Sequence, residues 1–461
     1  LSLVMLQRCA TPALAARIGW ATGAGYFAAT LFWIVEPFFV DVARHGWMAP
    51  FALLGMAGGL ALFWGAAWWG AARLGRERSL ARALAWAVLL AGAEAARSYL
   101  LTGFPWALIG HVWIGWAPMQ IAAWTGPIGL TLLTLLLPAL VVGLLPRRPV
   151  VAGLALIPFA ALYGAGAWQA AQPLPAAEDR PVLRLVQPNA AQHRKWDREW
   201  APTFFARQLS LTAAPAEKRP DLIIWPETAV PYILNNAAPA LERIAGAAAG
   251  VPVALGIQRL EETRAYNSMV VLDGAGTLSA LYDKHHLVPF GEYLPFGGLM
   301  SRIGLAAFTA QQGYGYSAGP GAQLLDLGAL GKALPLICYE AIFPQDLRAA
   351  PGRADWILQI TNDAWFGEIA GPYQHLAQAR LRAVETGLPL VRVANTGVSA
   401  VIGPRGTVTA SLPLGTHGHV DAALPPPLPE TVYARTGDLP WLALLGIAVF
   451  GLFALRLGQR S

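Results

Sequence analysis

Charge is scarce in this chain. Asp, Glu, Lys and Arg make up 13% of its 461 residues, about half the roughly 25% of an ordinary soluble domain. Together with 55% hydrophobic residues and 18 tryptophans, that shortage indicates a membrane protein, because Trp favours the membrane–water interface. The net charge is +6, yet no block of Lys and Arg interleaves with aromatics on a polar background, which leaves nucleic-acid binding without support. G-x-S-x-G, Walker and G-x-G-x-x-G elements are also missing, so a serine hydrolase or a nucleotide enzyme lacks its signature. Cysteine is nearly absent, with only Cys9 and Cys338.

Long apolar runs are present in number. Five occupy the first third, near Ile18–Val40, Ala49–Ala72, Leu80–Leu101, Gly115–Leu145 and Val150–Ala171, and a sixth lies at Leu439–Leu455. Each is close to the ~20 residues that cross a bilayer as a helix. Between Gln172 and Asp438 charges return, and Pro and Gly punctuate alternating strand and turn patterns. The expected organisation is therefore transmembrane helices over 1–172, a globular domain over 173–437, and a last transmembrane helix with its tail over 438–461. The chain opens on "LSLVMLQRC", which reads as the tail of an apolar span whose beginning is missing.

Basic residues set the expected orientation. Arg73, Arg76, Arg78 and Arg82 lie between the second and third runs, Arg147 and Arg148 between the fourth and fifth, and Arg456 and Arg460 after the last. The positive-inside rule makes all three sites cytoplasmic and puts the globular domain on the opposite side. Cys9 then falls in the membrane or at its cytoplasmic edge and cannot pair with Cys338. A lone thiol in an oxidising compartment is a candidate for reactivity, although a buried Cys is more often a small hydrophobe.

Within the globular stretch, "VLRLVQ" (182–187), "DLIIWPET" (221–228), "VPVALGIQ", "YNSMVVLD", "ALPLICYE" and "DWILQITNDAWFG" (355–367) read as strands. "PYQHLAQARLRAVETG" reads as a helix ending at Gly387, and "LPLVRVAN" with "GVSAVIGPRGTV" as a closing strand pair. Strands mixed with helices predict an α/β layered sandwich. Glu227, Lys284 and Cys338 each come where an apolar strand runs out, and strand ends in α/β sheets open onto ligand crevices. Singly each has an ordinary reading: Glu227 as a cap or surface residue, Lys284 as a surface partner of Asp283. Together they suffice for acyl transfer through a thioester. A carboxylate can deprotonate the thiol, and an ammonium can lower the thiol pKa and stabilise an oxyanion.

"WPET", "DKHHLVPFGEYLP", "ICYE" and "TNDAWFG" resemble the motifs of the nitrilase (carbon–nitrogen hydrolase) superfamily, whose members use a Glu-Lys-Cys triad on an αββα sandwich. With "LTGFPW" (101–106), "KWD" (195–197) and "YARTGD" (433–438), nearly the whole chain is similar to the membrane-embedded branch, the apolipoprotein N-acyltransferases. The resemblance implies a polytopic helical bundle carrying an extracytoplasmic nitrilase-like domain. It assigns Glu227 as general base, Lys284 as the oxyanion-stabilising cation and Cys338 as nucleophile. Glu292 and Glu340 resemble acidic residues that position Lys284 and the substrate. Trp196 and Tyr339 resemble aromatics lining the acyl and headgroup entrance, although a Trp near a membrane also serves as an interfacial anchor. Family members have eight spans against the six counted here.

The expected activity is transfer of an acyl chain from a membrane glycerophospholipid, through Cys338, to the α-amine of a diacylglyceryl-cysteine on an apolipoprotein. The expected setting is the bacterial inner membrane, with the chain acting as a monomer and without cofactor or metal. The apolar run "LMSRIGLAAF" (299–308) would dip into the leaflet as an arm. A membrane-tethered amidase using water is the alternative within enzymes. A transporter or receptor is the alternative outside them, disfavoured by the absence of internal repeats and polar pathways. Adjacent His285 and His286 would face opposite ways in a strand, and His417 and His419 lack a nearby Cys or carboxylate, so neither pair predicts a metal site. Glu94 and Arg97, at i and i+3 in an apolar run, either pair with each other or meet a lipid headgroup.

Overall fold

The apolar first third becomes helical, as its Leu- and Ala-rich composition favours. The computed structural model describes residues 1–75, 79–145, 149–154, 156–175, 179–295 and 315–458. Two compact units result: one of Leu1–Pro173, Val384–Thr386 and Glu430–Ser461, the other of Leu174–Ala383 and Gly387–Pro429. The run 299–308 and Arg76, Arg78, Arg147, Arg148 and Arg460 lie outside the described residues.

In the first unit the helices are Pro12–Thr30, Ala49–Leu74, Leu80–Tyr99, Ala122–Leu144, Leu156–Ala171 and Leu439–Gly458. By length and apolarity, two helical stretches among the described residues qualify to cross a membrane, Val42–Leu74 and Ala117–Leu144. A third arises if Pro12–Thr30 and Phe32–Phe39, bent by 48°, count as one span. Six spans and an N-terminal fragment of another were expected, and the differences have local causes. The Ile18–Val40 run breaks at Leu31 and continues as a 3-10 helix containing Pro37, whose ring would clash with the carbonyl four residues back in an α-helix. Leu80–Tyr99 is 20 residues long but carries Arg82, Glu94 and Arg97.

All three of those charges are buried. Arg82 donates to the carbonyls of Gly75 at 3.0 Å and Cys9 at 2.8 Å, so it ties helix ends together and is not a free loop cation. Arg97 and Glu94 form a bidentate pair at 3.0 and 2.7 Å. Trp64 Nε1 donates to Glu94 at 2.8 Å, and Arg97 also donates to the carbonyls of Trp106 at 2.8 Å and Ala107 at 3.0 Å. Both charges are thus satisfied within the protein, which settles the choice in favour of a structural pair. Cys9 and Cys338 are both buried, and neither takes part in a disulfide.

The second unit holds two six-stranded sheets. Its strands are β1 (Val182–Gln187), β2 (Leu222–Ile224), β3 (Val253–Glu261), β4 (Arg264–Leu272), β5 (Leu278–Asp283), β6 (Leu325–Asp326), β7 (Lys332–Ile337), β8 (Trp356–Thr361), β9 (Leu390–Ala394), β10 (Ser399–Ile402), β11 (Val408–Leu412) and β12 (Gly418–Ala423). One sheet has the order β12-β1-β2-β3-β4-β5, the other β11-β10-β9-β8-β7-β6. Helices Ala201–Thr212 and Ala238–Ala248 bury Phe205, Ala240 and Ile244 against Ile223, Val253 and Leu255 of the first sheet. Gly371–Thr386 buries Ala379 and Ala383 against Leu334, Leu336 and Ile357 of the second. Each fully buried Leu, Ile or Phe contributes about 1.5–3 kcal/mol. Gly387, at φ 69°, ends that helix in the left-handed conformation. The outcome is an α/β layered sandwich, as the strand and helix pattern predicts, in the αββα form that the nitrilase resemblance implies. The chain does not stop at the β9–β10 pair: β12 returns to the first sheet and pairs antiparallel with β1, where Arg184 grips Asp421 with two bonds of 2.7 Å.

The buried pair in the first unit yields a stability prediction. Arg97→Met leaves the Glu94 carboxylate without its cation, and thermal unfolding in detergent should report a loss of about 3–5 kcal/mol. Adding Glu94→Gln should recover most of it. A headgroup-binding role would instead weaken lipid binding and leave unfolding unchanged.

Candidate active site

Glu227 stands where β2 runs out. Trp225 is fully buried and Pro226 ends the strand, after which Thr228 takes φ 47° and the chain turns over β3. Gly256 makes room for this turn, since a Cβ there would lie 2.4 Å from Thr228 N and 2.6 Å from Glu227 Cα. Gly256 N donates to Pro226 O at 3.2 Å, and Ala229 N to Gly256 O at 2.8 Å. The carboxylate so placed accepts from Asn267 Nδ2 at 2.7 Å and from the main-chain Asn362 N at 2.8 Å. Asn267 belongs to the first sheet and Asn362 follows β8 of the second, so the carboxylate spans the two layers.

Lys284 follows β5, and its main-chain N continues the ladder to Asn267 O at 2.9 Å. Its side chain is 1% exposed, which excludes the surface pair with Asp283. Asp283 faces away and is held by Arg259 at 2.8 and 2.6 Å and by Ser268 Oγ at 2.6 Å. Lys284 Nζ lies 2.9 and 2.8 Å from the two oxygens of Glu292 and 3.8 Å from Glu227 Oε1. Burial works to lower the Lys284 pKa, but the charges of Glu292 and Glu227 outweigh it and hold the ammonium well above its ordinary range. Glu292 is itself tied by Val288 N at 2.9 Å and shares Asn267 Nδ2 at 3.2 Å.

Cys338 follows β7 and adopts φ 54°, a left-handed conformation that costs a non-glycine residue about 1–3 kcal/mol and collects at functional sites. Its carbonyl receives Gln359 Nε2 at 3.2 Å, and His375 Nε2 lies 3.1 Å away. Behind them His375 Nδ1 sits 3.0 Å from Asp363, and Arg392 bonds the same carboxylate. Burial raises the Asp363 pKa, but Arg392 and His375 bring it down to about 2. Buried charge here fixes the backbone that carries the thiol. The thiol lies within electrostatic reach of Glu227 and Lys284. Burial pushes the thiol pKa up, Glu227 pushes it further, and the opposing pull of Lys284 does not compensate. The expectation that Lys284 leaves the thiol with a lowered pKa is therefore corrected: sequence shows the neighbouring cation but not the depth of burial.

The supporting residues take distinct places. Glu340 is fully buried and accepts from Ile337 N at 2.7 Å, His285 N at 2.8 Å, His286 N at 3.2 Å and Tyr282 Oη at 2.9 Å. It staples the turn after Cys338 to the loop after Lys284 without touching the ammonium. Tyr339 is buried, its ring edge-on to Phe343 at 4.9 Å. Trp196 is half-buried, with Lys195 Nζ 5.5 Å from its ring centroid. Sequence reasoning missed Asn267, Asn362, Thr361, Asp363, His375 and Lys195. The signals available were an Asn inside the apolar run "YNSMVVLD", the polar cluster in "TNDAWFG" and the first residue of "KWD".

An αββα sandwich with a Glu, a Lys and a Cys converging from its strand ends defines the class, and comparison with known proteins agrees. A family described as carbon-nitrogen hydrolase matches residues 182–431, and one described as apolipoprotein N-acyltransferase N-terminal domain matches residues 1–140. The chain is 40% identical to the apolipoprotein N-acyltransferase of Rhodopseudomonas palustris over 96% of its own length and 86% of that protein. It is 43% identical to that of Brucella melitensis over 90% and 80%. The amidase from Nesterenkonia sp. AN1 aligns with 59% of this chain and 99% of its own, at 19% identity and a TM-score of 0.42. The chain belongs to the apolipoprotein N-acyltransferase family.

The raised thiol pKa separates two effects of one substitution. Removing the Glu227 charge lowers the barrier to ionisation, so in Glu227→Gln the pH at which iodoacetamide alkylates Cys338 should move down. Loss of the base should at the same time slow acylation of Cys338 by phospholipid about 10²–10⁴-fold. Wild-type alkylation should still be rising at the alkaline end of the range in which the protein stays folded. A downward shift without slower acylation would remove Glu227 as the base.

Proposed function

We infer that this chain is an N-acyltransferase of a bacterial membrane. It moves a fatty acyl chain from a membrane glycerophospholipid, through a thioester on Cys338, to the α-amine of the N-terminal diacylglyceryl-cysteine of an apolipoprotein. The observation that carries the reading is the meeting of Glu227, Lys284 and Cys338 in one buried cluster, in a chain related to apolipoprotein N-acyltransferases over most of its length.

The geometry supports each step of this reading. Glu227 takes the proton from Cys338 Sγ as the sulfur attacks the ester carbonyl. The resulting oxyanion forms beside the Lys284 ammonium, which the Glu292 and Glu227 carboxylates keep charged against the effect of burial. Collapse breaks the ester C–O bond, the lysophospholipid oxygen receives the proton held on Glu227, and the acyl group remains on sulfur. The α-amine then attacks the thioester. Glu227 accepts the amine proton, and the thiolate leaves and is reprotonated. Asn267 and Asn362 hold the two Glu227 oxygens throughout, so the base needs little reorganisation.

The same reading covers the membrane. The basic residues flanking the apolar runs support an extracytoplasmic position for the catalytic unit of a polytopic bundle, the side on which both lipid-anchored substrates would lie. A soluble enzyme would have to draw acyl chains from the lipid at about 0.8 kcal/mol per CH₂; a tethered one avoids most of that cost.

Mass spectrometry after incubation with phospholipid should find an acyl adduct on Cys338, discharged by a diacylglyceryl peptide amine and only slowly by water. Cys338→Ser should form less than about a hundredth of the adduct, because a hydroxyl is much harder to ionise. Discharge by water as fast as by the amine would make the chain a hydrolase. Orientation is tested with Ala275→Cys, an exposed position, in a Cys338→Ala background. A membrane-impermeant thiol reagent should label it in intact spheroplasts. Labelling only after lysis would put the unit in the cytoplasm.

A further inference from the structure

A second buried lysine stands on the other side of Glu227. Lys195 is 6% exposed, yet no carboxylate is within ion-pair distance among the described residues. Its Nζ donates to the main-chain carbonyl of Glu227 at 3.0 Å and to Thr228 Oγ1 at 2.7 Å. Those two residues form the turn that carries the carboxylate, Thr228 lies at φ 47°, and Gly256 is packed under the turn. A fully buried ammonium bonded only to a carbonyl and a hydroxyl is a costly arrangement. A structural clamp could use a neutral donor, as Gln208 Nε2 does for Ala229 O at 3.0 Å one step along the same turn.

We propose that Lys195 is a positioning residue for acyl transfer: its ammonium, clamped to the Glu227 carbonyl and the Thr228 hydroxyl, fixes the turn that aims the Glu227 carboxylate at Cys338. The proposal rests on the acyl-enzyme reading above. The charged groups facing Lys195 are the Glu227 carboxylate and the Cys338 thiol, and Trp196 covers it from its own segment. Burial lowers the Lys195 pKa to about 8, with Glu227 and Cys338 acting in the opposite direction. Lys284, by contrast, is held protonated far above that range. Of the two lysines beside Glu227, only Lys195 loses its charge under mildly alkaline conditions. The sign follows: below about pH 8 both bonds of the clamp are charge-assisted, and as pH rises through that value the ammonium becomes a neutral amine that keeps two N–H donors but loses that strengthening, so the clamp loosens.

The test is single-turnover acylation of Cys338, read by mass spectrometry from about pH 6.5 to 9.5 around the Lys195 value. The donor is phosphatidylglycerol, which has no group titrating there. Wild type should show a falling limb near pH 8. Lys195→Met should acylate about 10- to 100-fold more slowly at pH 7, with half-saturation by donor unchanged and no limb. Lys195→Arg keeps the charge at every pH and should recover part of the rate with a flat profile. A limb that persists in Lys195→Arg, or its absence from wild type, would overturn the assignment. So would a Lys195→Met variant that acylates at the wild-type rate, or one whose loss lies wholly in half-saturation. Should Lys195→Met not accumulate folded, the wild-type and Lys195→Arg profiles decide. A wild type that never acylates Cys338 would instead sink the acyl-enzyme reading itself, a failure distinct from any of these.

Discussion

Two buried carboxylates share one buried ammonium, and the rest of the second unit is arranged around that fact. Glu227 and Glu292 would repel each other in a low-dielectric interior, and Lys284 between them makes the cluster tolerable. The sharing is unequal. Glu292 takes the short contacts and Glu227 stands off at 3.8 Å, completing its shell with Asn267 and Asn362 instead.

The sandwich is what permits this division. The first sheet brings Glu227, Lys284 and Asn267, and the second brings Cys338, Thr361 and Asn362. The two halves meet through the bond from Asn362 N to Glu227, 135 residues apart in sequence. On the second sheet, the Asp363, His375 and Arg392 group spends no contact on the thiol. It holds the strained main chain of Cys338 from behind, through the Cys338 carbonyl.

Much of this was legible in the sequence, for a physical reason. An apolar run reads as a strand, and a polar residue at its end reads as a site, so β1, β2 and β8 and the trio Glu227, Lys284 and Cys338 stood out. Asn267 and Asn362 did not, because one acts from within a strand and the other through a main-chain N–H that carries no side-chain signature. Lys195 was passed over for its neighbour Trp196, since nothing local shows that a lysine is buried. The thiol pKa was misjudged for the same reason: charges can be counted along a chain, but desolvation depends on what folds over them. Apolarity likewise located the membrane helices and overstated their uniformity, because Pro37 and the charges of Leu80–Tyr99 act through geometry and pairing.

The return of β12 has a consequence for biosynthesis. The outer edge of β1 stays open until a strand 237 residues further on has been made, as the Arg184–Asp421 bond records. By then Glu227, Lys284 and Cys338 have all been synthesised. Closing so long a loop is slow, and an open strand edge invites pairing with other chains. A nascent chain arrested before Gly418 would thus expose a sticky edge beside a fully synthesised set of reactive side chains. The strand that seals that edge emerges just ahead of the apolar helix Leu439–Gly458, so the first sheet can be completed only shortly before that helix is made.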